Sequence, residues 1–312
     1  MFEIRRYTAD QQQVWDDYVA RARNATFLFY RGYMDYHSDR FRDHSLMFYR
    51  GRRLYAVLPA HEKDDTFYSH FGLTYGGLLM DDDVTTACVL TLFEELNAYL
   101  RDSGFKCVLY RAIPWVYHRQ PAEEDLYAMF WKCGARLQQR MSGTVIFMGE
   151  PLPWRKDHRR RLKLAHERGI RVESNGRPED FWPLLEDNLM RKFGCRPVHT
   201  LQEMKLLQGR FPREIVQYNA WLDGCIVGGI TFYVMGHVLH GQYSGTNDIG
   251  KSSGAMEAIY EQVMLHDFRH CRYLDFGTSN EQGGLVLNEG LIDHKEAYGG
   301  RTVTYDTYEW EP

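Results

Sequence analysis

The stretch Leu274-Asp275-Phe276-Gly277-Thr278-Ser279-Asn280 decides how the C-terminal half of this 312-residue chain is interpreted. The apolar run from 272 to 276 predicts a buried strand, and the small polar residues after it predict a loop. The carboxyl end of a strand in an open α/β sheet commonly faces a ligand. Asp275 is therefore a candidate to orient or deprotonate a substrate, with Thr278 and Ser279 as candidate substrate contacts. The alternative is a carboxylate that caps the loop through backbone amides.

A second candidate segment follows, in which the apolar spacing predicts a helix over 285–298. Asn288 and Lys295 are seven residues apart, so we expect them on one helical face. A lysine there can stabilise an oxyanion or a phosphate, or act as an acid if burial lowers its pKa. The alternative is a solvated lysine near a helix C-terminus, where a cation is favoured in any case.

A third candidate segment precedes the helix predicted over 255–270. Free amides and small residues at a helix N-terminus suit a pyrophosphate. The alternative is an ordinary Ser/Gly helix entry, and a P-loop is excluded because the earlier glycine of that motif is missing. The candidate phosphate-binding residues are Asn247, Gly250, Lys251, Ser252, Ser253 and Gly254.

The predicted elements follow the same order in both halves of the chain. The first half has a helix at 9–22, a hairpin of 45–49 and 54–60, a helix at 84–100, a strand at 106–113, a helix at 123–133 and a strand at 144–148. The second half has helices at 179–193 and 201–209, strands at 214–221, 226–234 and 237–243, a loop at 244–254, and then the segments above and a last strand through 305. Pro151 and Pro153 block helix and sheet alike. We therefore predict two domains, residues 1–150 and 151–312.

Composition limits the function classes. The content of 44% hydrophobic and 26% charged residues is that of a folded globular chain. A net charge of −4 argues against a protein that coats DNA or other nucleic acid non-specifically. The six cysteines stand singly, which signals neither a zinc site nor a disulfide framework. No apolar run reaches the ~20 residues of a membrane span. We expect a soluble, cytoplasmic protein.

Three further features carry open alternatives. The basic run 155–163 can contact the phosphates of a ligand or of RNA, or it can be a solvated helix face. Tyr75, Tyr243 and Tyr305 are candidates to line a substrate cleft, although a tyrosine-rich core would contain the same residues. His266 and His270 have the spacing of a helical metal site but no evident third ligand, so we expect no metal.

The element order resembles that of the GNAT N-acetyltransferase superfamily, and two such halves in tandem resemble the Fem family of peptidoglycan aminoacyl transferases. The segment from Arg159 to Ile170 is similar to the basic helix that opens the second Fem-type half. The residues Leu274 to Gly277 and Leu291 to Gly299 resemble the Asp-Phe-Gly strand end and the Phe-Lys-x-x-Phe-Gly helix end of that family, with His294 and Tyr298 in the two Phe positions. The resemblance implies an α/β (α+β) fold of two GNAT-like halves, each a mixed, mostly antiparallel sheet flanked by helices.

The same resemblance implies a function. It implies transfer of an acyl group, most often acetyl, from a coenzyme A thioester to an amine on a small molecule or cell-envelope precursor. Lys295 occupies the position of the GNAT tyrosine that protonates the departing thiolate. The resemblance therefore implies that Lys295 or Tyr298 stabilises the negative charge on the thiolate or oxyanion, and that Asp275 or water accepts the proton of the attacking amine. Asn288 begins the matching helix motif and joins the expected coenzyme A contacts.

Two alternatives remain open. A Fem-like aminoacyl transferase would use charged transfer RNA, but the chain lacks the long charged helical hairpin of some Fem proteins. A non-catalytic binding protein is suggested by the phosphate loop, in which Asn247, Gly250 and Ser252 match the GNAT fingerprint only in part.

Overall fold

The computed structural model describes all residues from 1 to 312. Its helices are α1 Gln12–Arg21, α2 Arg31–Met34, α3 Thr86–Asp102, α4 Glu124–Cys133, α5 Lys156–Arg168, α6 Pro178–Phe193, α7 Leu201–Arg210, α8 Asp248–Ser253, α9 Ala255–Gln262 and α10 Glu289–Glu296. Its strands are β1 Glu3–Arg6, β2 Arg42–Asp43, β3 Leu46–Arg50, β4 Arg53–Leu58, β5 His61–Lys63, β6 Thr66–Tyr68, β7 Leu79–Met80, β8 Cys107–Arg111, β9 Arg136–Phe147, β10 Arg171–Ser174, β11 Ile215–Leu222, β12 Cys225–Met235, β13 Val238–Thr246, β14 Tyr273–Thr278, β15 Asn280–Glu281, β16 Val286–Leu287 and β17 Arg301–Trp310.

The chain divides into two compact units. The first unit comprises residues 1–142, 282–285 and 304–312, and the second comprises residues 143–281 and 286–303. In the first unit, β1-β3-β4-β7 form one sheet, and β17-β8-β6-β5-β2 are neighbours in another. In the second unit, the strand order is β10-β11-β12-β13-β14-β9. All pairs in these sheets are antiparallel except β6 with β8 and β13 with β14, which confirms the predicted mixed, mostly antiparallel sheets.

Each unit has its own apolar core, built from residues at the expected spacings. Helix α3 buries Val89, Leu92, Phe93, Leu96 and Leu100 at steps of three and four, which places them on one helical face. In the second unit, the core lies between the sheet and helix α9, which contributes Ala255, Ile259 and Tyr260. Burial of these apolar faces packs the helices of each unit against its sheets.

Three predictions of local structure are wrong. The residues after Phe276 are not a loop, since β14 continues through Thr278 and β15 begins at Asn280. The segment 244–254 is not a loop, since β13 continues through Thr246 and α8 follows it. The helix predicted from Leu285 begins only at Glu289, because Val286 and Leu287 pair as β16 with β15. In each place a short element depends on tertiary pairing or packing that periodicity over a few residues does not reveal.

Candidate functional site

The second unit contains a fork between two parallel strands. Strands β13 and β14 pair at Val238–Tyr273, Leu239–Leu274 and His240–Asp275, and the pairing ends there. Strand β13 continues to Thr246 against β12 on its other side. The edge of residues 241–246 that faces β14 is therefore left without a ladder partner, and a ligand with amide groups can pair with such an edge.

The first unit has a corresponding parallel pair, but its own chain closes the fork. Strands β6 and β8 pair as far as Tyr68–Leu109. Beyond that pair, the Ser69 amide donates to the Leu109 carbonyl at 3.0 Å and the Gly76 amide donates to the Arg111 carbonyl at 2.9 Å. Because the backbone acceptors of β8 are used in this way, the open fork of the second unit is the better place for a substrate.

Asp275 lies at the apex of the open fork. Its side chain is fully buried, its Oδ1 accepts a 2.7 Å hydrogen bond from the Gly277 amide, and its Oδ2 is 3.1 Å from His240 Nδ1. The loop-capping alternative is thus present in the structure. His240 was not singled out in the sequence. The sequence feature that could have pointed to it is a polar residue directly after two apolar ones at the beginning of a strand, Val238-Leu239-His240.

Lys295 reaches the same fork from α10. Its Nζ donates to the carbonyl oxygens of Gly277 at 2.9 Å and Thr278 at 2.7 Å. Only 6% of the residue surface is exposed. Burial lowers the pKa of Lys295 to about 8, and the negative charge of Asp275 opposes that effect. The structure therefore brings the predicted residues Lys295, Asp275 and Thr278 together and makes the lysine a buried cation, not a solvated one.

Ser279 and Asn288 lie beside this cluster. The Ser279 hydroxyl is buried and has no hydrogen-bond partner, while its backbone carbonyl accepts from the Asn288 amide at 2.8 Å. The Asn288 side chain caps α10 by accepting from the Leu291 amide at 2.9 Å, and it donates to Glu281 at 2.5 Å. The structure thus gives Asn288 a capping role outside the helix, so its side chain does not share a helical face with Lys295.

Tyr298 belongs to a different buried cluster. Its ring packs on His158 at 4.2 Å and on Tyr260 at 4.7 Å between centroids. Burial holds the pKa of Tyr298 well above its ordinary value, and the nearby Glu257 carboxylate adds to that effect. Glu257 is ion-paired with His158 and Arg161, each at 2.9 Å. These contacts describe a tyrosine that stays protonated and that lies among charges separate from those around Lys295.

The predicted phosphate loop is folded on itself. Asn247 caps α8 by accepting from the Gly250 amide at 2.8 Å, and the Lys251 amide donates to the Asn247 carbonyl at 2.9 Å. The Ser252 hydroxyl donates to the Ile249 carbonyl, and Ser253 is buried against Arg168. Gly254 has φ +79°, which ends α8 and starts α9. The amides of Gly250 and Lys251 are consequently engaged within the segment.

Next to this segment, side-chain cations are available to bind a phosphate in place of the engaged backbone amides. A cavity of about 620 Å³ lies between α5 and α8. Its lining comprises Arg160, Arg161, Lys163, Leu164, Glu167, Asp248, Lys251 and Ser252. Arg160 and Lys251 are exposed there and have no carboxylate partner, so their charges are available to an anionic ligand. A phosphate in this cavity would be held mainly by side-chain cations.

Of the three tyrosines proposed for a cleft, Tyr75 and Tyr305 are buried and Tyr243 is half-buried. Tyr75 packs on Tyr117 at 4.5 Å in the first unit, and the Tyr305 hydroxyl is 3.1 Å from that of Tyr117. In the second unit, the Tyr243 hydroxyl is 2.6 Å from His199 Nδ1, and its ring meets Trp182 at 5.5 Å. Of the three, Tyr243 alone belongs to the open fork, since it lies on the part of β13 beyond His240.

No group of three or more His, Cys, Asp or Glu side chains is arranged to hold a metal ion, and that includes the surroundings of His266 and His270. None of the helices combines the length and the apolar character that crossing a bilayer requires.

The sequence matches no protein-family model and no curated protein. Its structure is similar to that of FemX, with a TM-score of 0.70 and 10% identity over 99% of this chain and 97% of that chain. It is also similar to L-PGS from Bacillus licheniformis, with a TM-score of 0.63 and 12% identity over 97% and 92% of the two chains. A tandem GNAT protein from the clavulanic acid biosynthesis pathway gives a TM-score of 0.55 and 11% identity over 100% and 98%.

The chain has a tandem GNAT-like, Fem-related fold. This confirms the resemblance and the fold class predicted from the element order. In this tandem GNAT-like chain, the open fork, the buried Lys295 and the cationic cavity all lie in the second unit. At identities of 10–12%, the likeness is one of fold, and the chemistry has to be argued from the residues of this chain.

Proposed function

We propose that the chain is an N-acyltransferase that moves an acyl group, most simply acetyl, from a coenzyme A thioester to an amine at the open fork. The observation that carries this proposal is Lys295, a buried cation held at the carboxyl end of β14 by two carbonyl oxygens. Burying a charge costs stability, and such costs are typical of functional sites. A cation in a site of low dielectric stabilises developing negative charge strongly.

The chemistry follows from direct attack. The amine nitrogen bonds to the thioester carbon, the carbonyl oxygen becomes an oxyanion, and collapse breaks the carbon–sulfur bond and releases the thiolate. Lys295 is the group that neutralises this charge, and its pKa of about 8 keeps it mostly protonated at neutral pH. Fully buried Asp275 supports the charged form of Lys295 and fixes the Gly277 amide. Water then takes the proton from the attacking amine.

The donor site proposed for coenzyme A is the cavity between α5 and α8. Its size and its exposed cations, Arg160 and Lys251, suit a pyrophosphate, although the loop amides are engaged. Charge-assisted hydrogen bonds to phosphate contribute about 1.5–3 kcal/mol each. Removing Lys251 should therefore weaken binding of acetyl-coenzyme A by about tenfold or more.

A second candidate donor, aminoacyl transfer RNA, is favoured by one observation. Lys156 and Arg159 lie exposed on α5 and have no ion-pair partner, and Arg159 faces a different groove from the proposed coenzyme A cavity. Exposed cations without partners are what the backbone of a nucleic acid contacts. An aminoacyl ester passes through the same kind of oxyanion, so Lys295 would serve either donor.

Titration calorimetry with matched variants separates the two donors. For a coenzyme A enzyme, acetyl-coenzyme A binds the wild type, Lys251→Ala weakens binding, and the double charge reversal Lys156→Glu with Arg159→Glu leaves it unchanged. For a transfer-RNA enzyme, the charge reversal abolishes binding of charged transfer RNA and acetyl-coenzyme A does not bind. Lys192→Ala, at an exposed site on α6, is the control.

Turnover is measured as release of free thiol with a panel of primary amines. Lys295→Met should lower the rate by about 10²–10³-fold while acetyl-coenzyme A still binds. A wild-type rate in that variant would remove Lys295 from the mechanism. Binding of acetyl-coenzyme A by the wild type without turnover on any amine would support the non-catalytic alternative.

A further inference from the structure

A guanidinium in the first unit has no counter-charge. Arg111 ends β8, is half-buried, and stacks over the Phe71 ring at 4.1 Å. Its Nη1 donates to the Leu73 carbonyl at 3.1 Å. Its Nε is buried without a hydrogen-bond partner, and neither Nε nor Nη2 contacts a carboxylate. Burial lowers the pKa of Arg111, and no negative charge opposes that effect.

Other arginines in the chain show what the edge formed by Nε and Nη2 of a guanidinium normally binds. Arg140 grips Asp306 through Nε and Nη2, both at 2.7 Å, and Arg177 grips Asp180 in the same way at 3.1 and 2.9 Å. The two parallel N–H groups of this edge match the two oxygens of a carboxylate or phosphate. In Arg111, the Nε and Nη2 edge is the part of the side chain left without a partner.

The surroundings of Arg111 do not supply the missing charge. His61 lies close enough for Arg111 to help lower its pKa, and burial, the larger effect, brings that pKa to about 4. His61 Nδ1 accepts from the Phe71 amide at 3.2 Å, so its ring is neutral with the proton on Nε2. Asp43, the acidic residue near His61, is ion-paired with Arg31 at 2.8 Å. The cation therefore stays uncompensated, which is costly in a folded protein.

We infer that Arg111 is the anchor of an oxyanion-binding site in the first unit, which takes a carboxylate or phosphate through the Nε–Nη2 edge above the Phe71 ring. The inference holds whether or not the chain transfers acyl groups. The other side of the guanidinium is fixed by the Leu73 carbonyl, and its face is fixed by the Phe71 ring. The guanidinium is thus pre-oriented before a ligand binds.

Thermal unfolding with inorganic phosphate or with glutarate, at constant ionic strength, tests the site. The wild type should be stabilised saturably, with half-saturation at about millimolar anion. Arg111→Met should lose the saturable response. Arg111→Lys should weaken anion binding by about tenfold, because lysine keeps the charge but lacks the two parallel N–H donors of the guanidinium. Arg140→Met, whose edge is already occupied by Asp306, is the matched control and should respond as the wild type does.

A second measurement is independent of variant stability. The ¹H–¹⁵N signal of Arg111 Nε should move on titration, and whether phosphate or glutarate moves it identifies the ligand class. An Nε signal that neither anion moves at saturation overturns the inference. An Arg111→Met variant that responds to anions as the wild type does also overturns the inference. If Arg111→Lys binds the anion as tightly as the wild type, the two-point contact through Nε and Nη2 is overturned.

Discussion

The buried ammonium group of Lys295 should make the stability of the protein depend on pH in a way that a single substitution isolates. The folded-state pKa of Lys295 is lowered from 10.5 to about 8 by burial. The unfolded chain therefore binds more protons between pH 8 and 10.5, and stability rises with pH across that window. The full difference corresponds to about 3 kcal/mol, which is a penalty below pH 8 and is relieved above 10.5.

Lys295→Met removes the titration and keeps a side chain of similar length. The free energy of unfolding of the wild type minus that of Lys295→Met should rise by about 2 kcal/mol between pH 7.5 and 10. The variant also loses the hydrogen bonds to Gly277 and Thr278. The part of that loss that depends on protonation is already contained in the folded-state pKa, and the rest cancels in the comparison across pH. Urea denaturation at pH 7.5, 8.5, 9.2 and 10 measures the difference.

Lys192→Met, at an exposed lysine of α6, provides the control and should give a flat difference over the same range. A flat difference for Lys295→Met would refute the argument, because it would mean that Lys295 titrates as an exposed lysine does. A difference that fell with rising pH would also refute it, since the cation would then be stabilised by the fold.

Further predictions concern the elements that support the site. Gly250→Ala should lower the free energy of unfolding by several kcal/mol, because the new Cβ collides with the Val227 carbonyl; Gly209→Ala, with open space around it on α7, should not, by urea denaturation. Asn288→Ala should cost about 1 kcal/mol in the same assay through loss of the α10 cap, and a neutral result would assign no weight to that cap. Glu257→Gln should cost about 3–5 kcal/mol at pH 7 by removing the carboxylate shared by His158 and Arg161. Because the pKa of Glu257 is lowered, this advantage of the wild type exists above pH ~4.5 and disappears as the pH falls; equal stabilities at pH 7 would contradict the assignment. Finally, if cationic Lys295 is required for turnover, kcat/KM should fall above a pH of about 8, and a rate unchanged up to pH 10 would contradict that role.

The order of elements was accessible from the sequence because local periodicity is strong in both units. The steps of three and four in α3 and the two closely spaced apolar runs of β3 and β4 predicted a helix and a hairpin without reference to distant residues. Elements of two to six residues were missed, β16 and α8 among them, since such short segments form only where the tertiary structure pairs or packs them.

The sequence by itself determined that Asp275 lies on an apolar strand and that Lys295 lies on the following helix, because both follow from patterns within twenty-five residues. Only the tertiary structure decided that Lys295 is buried against the Gly277 and Thr278 carbonyls, and that His240 pairs with Asp275 from a strand 35 residues earlier. It also decided that the first unit closes its fork with its own backbone while the second leaves its fork open. The physical reason is that burial and charge pairing are set by which strands become neighbours, and strand order is a non-local property of the chain.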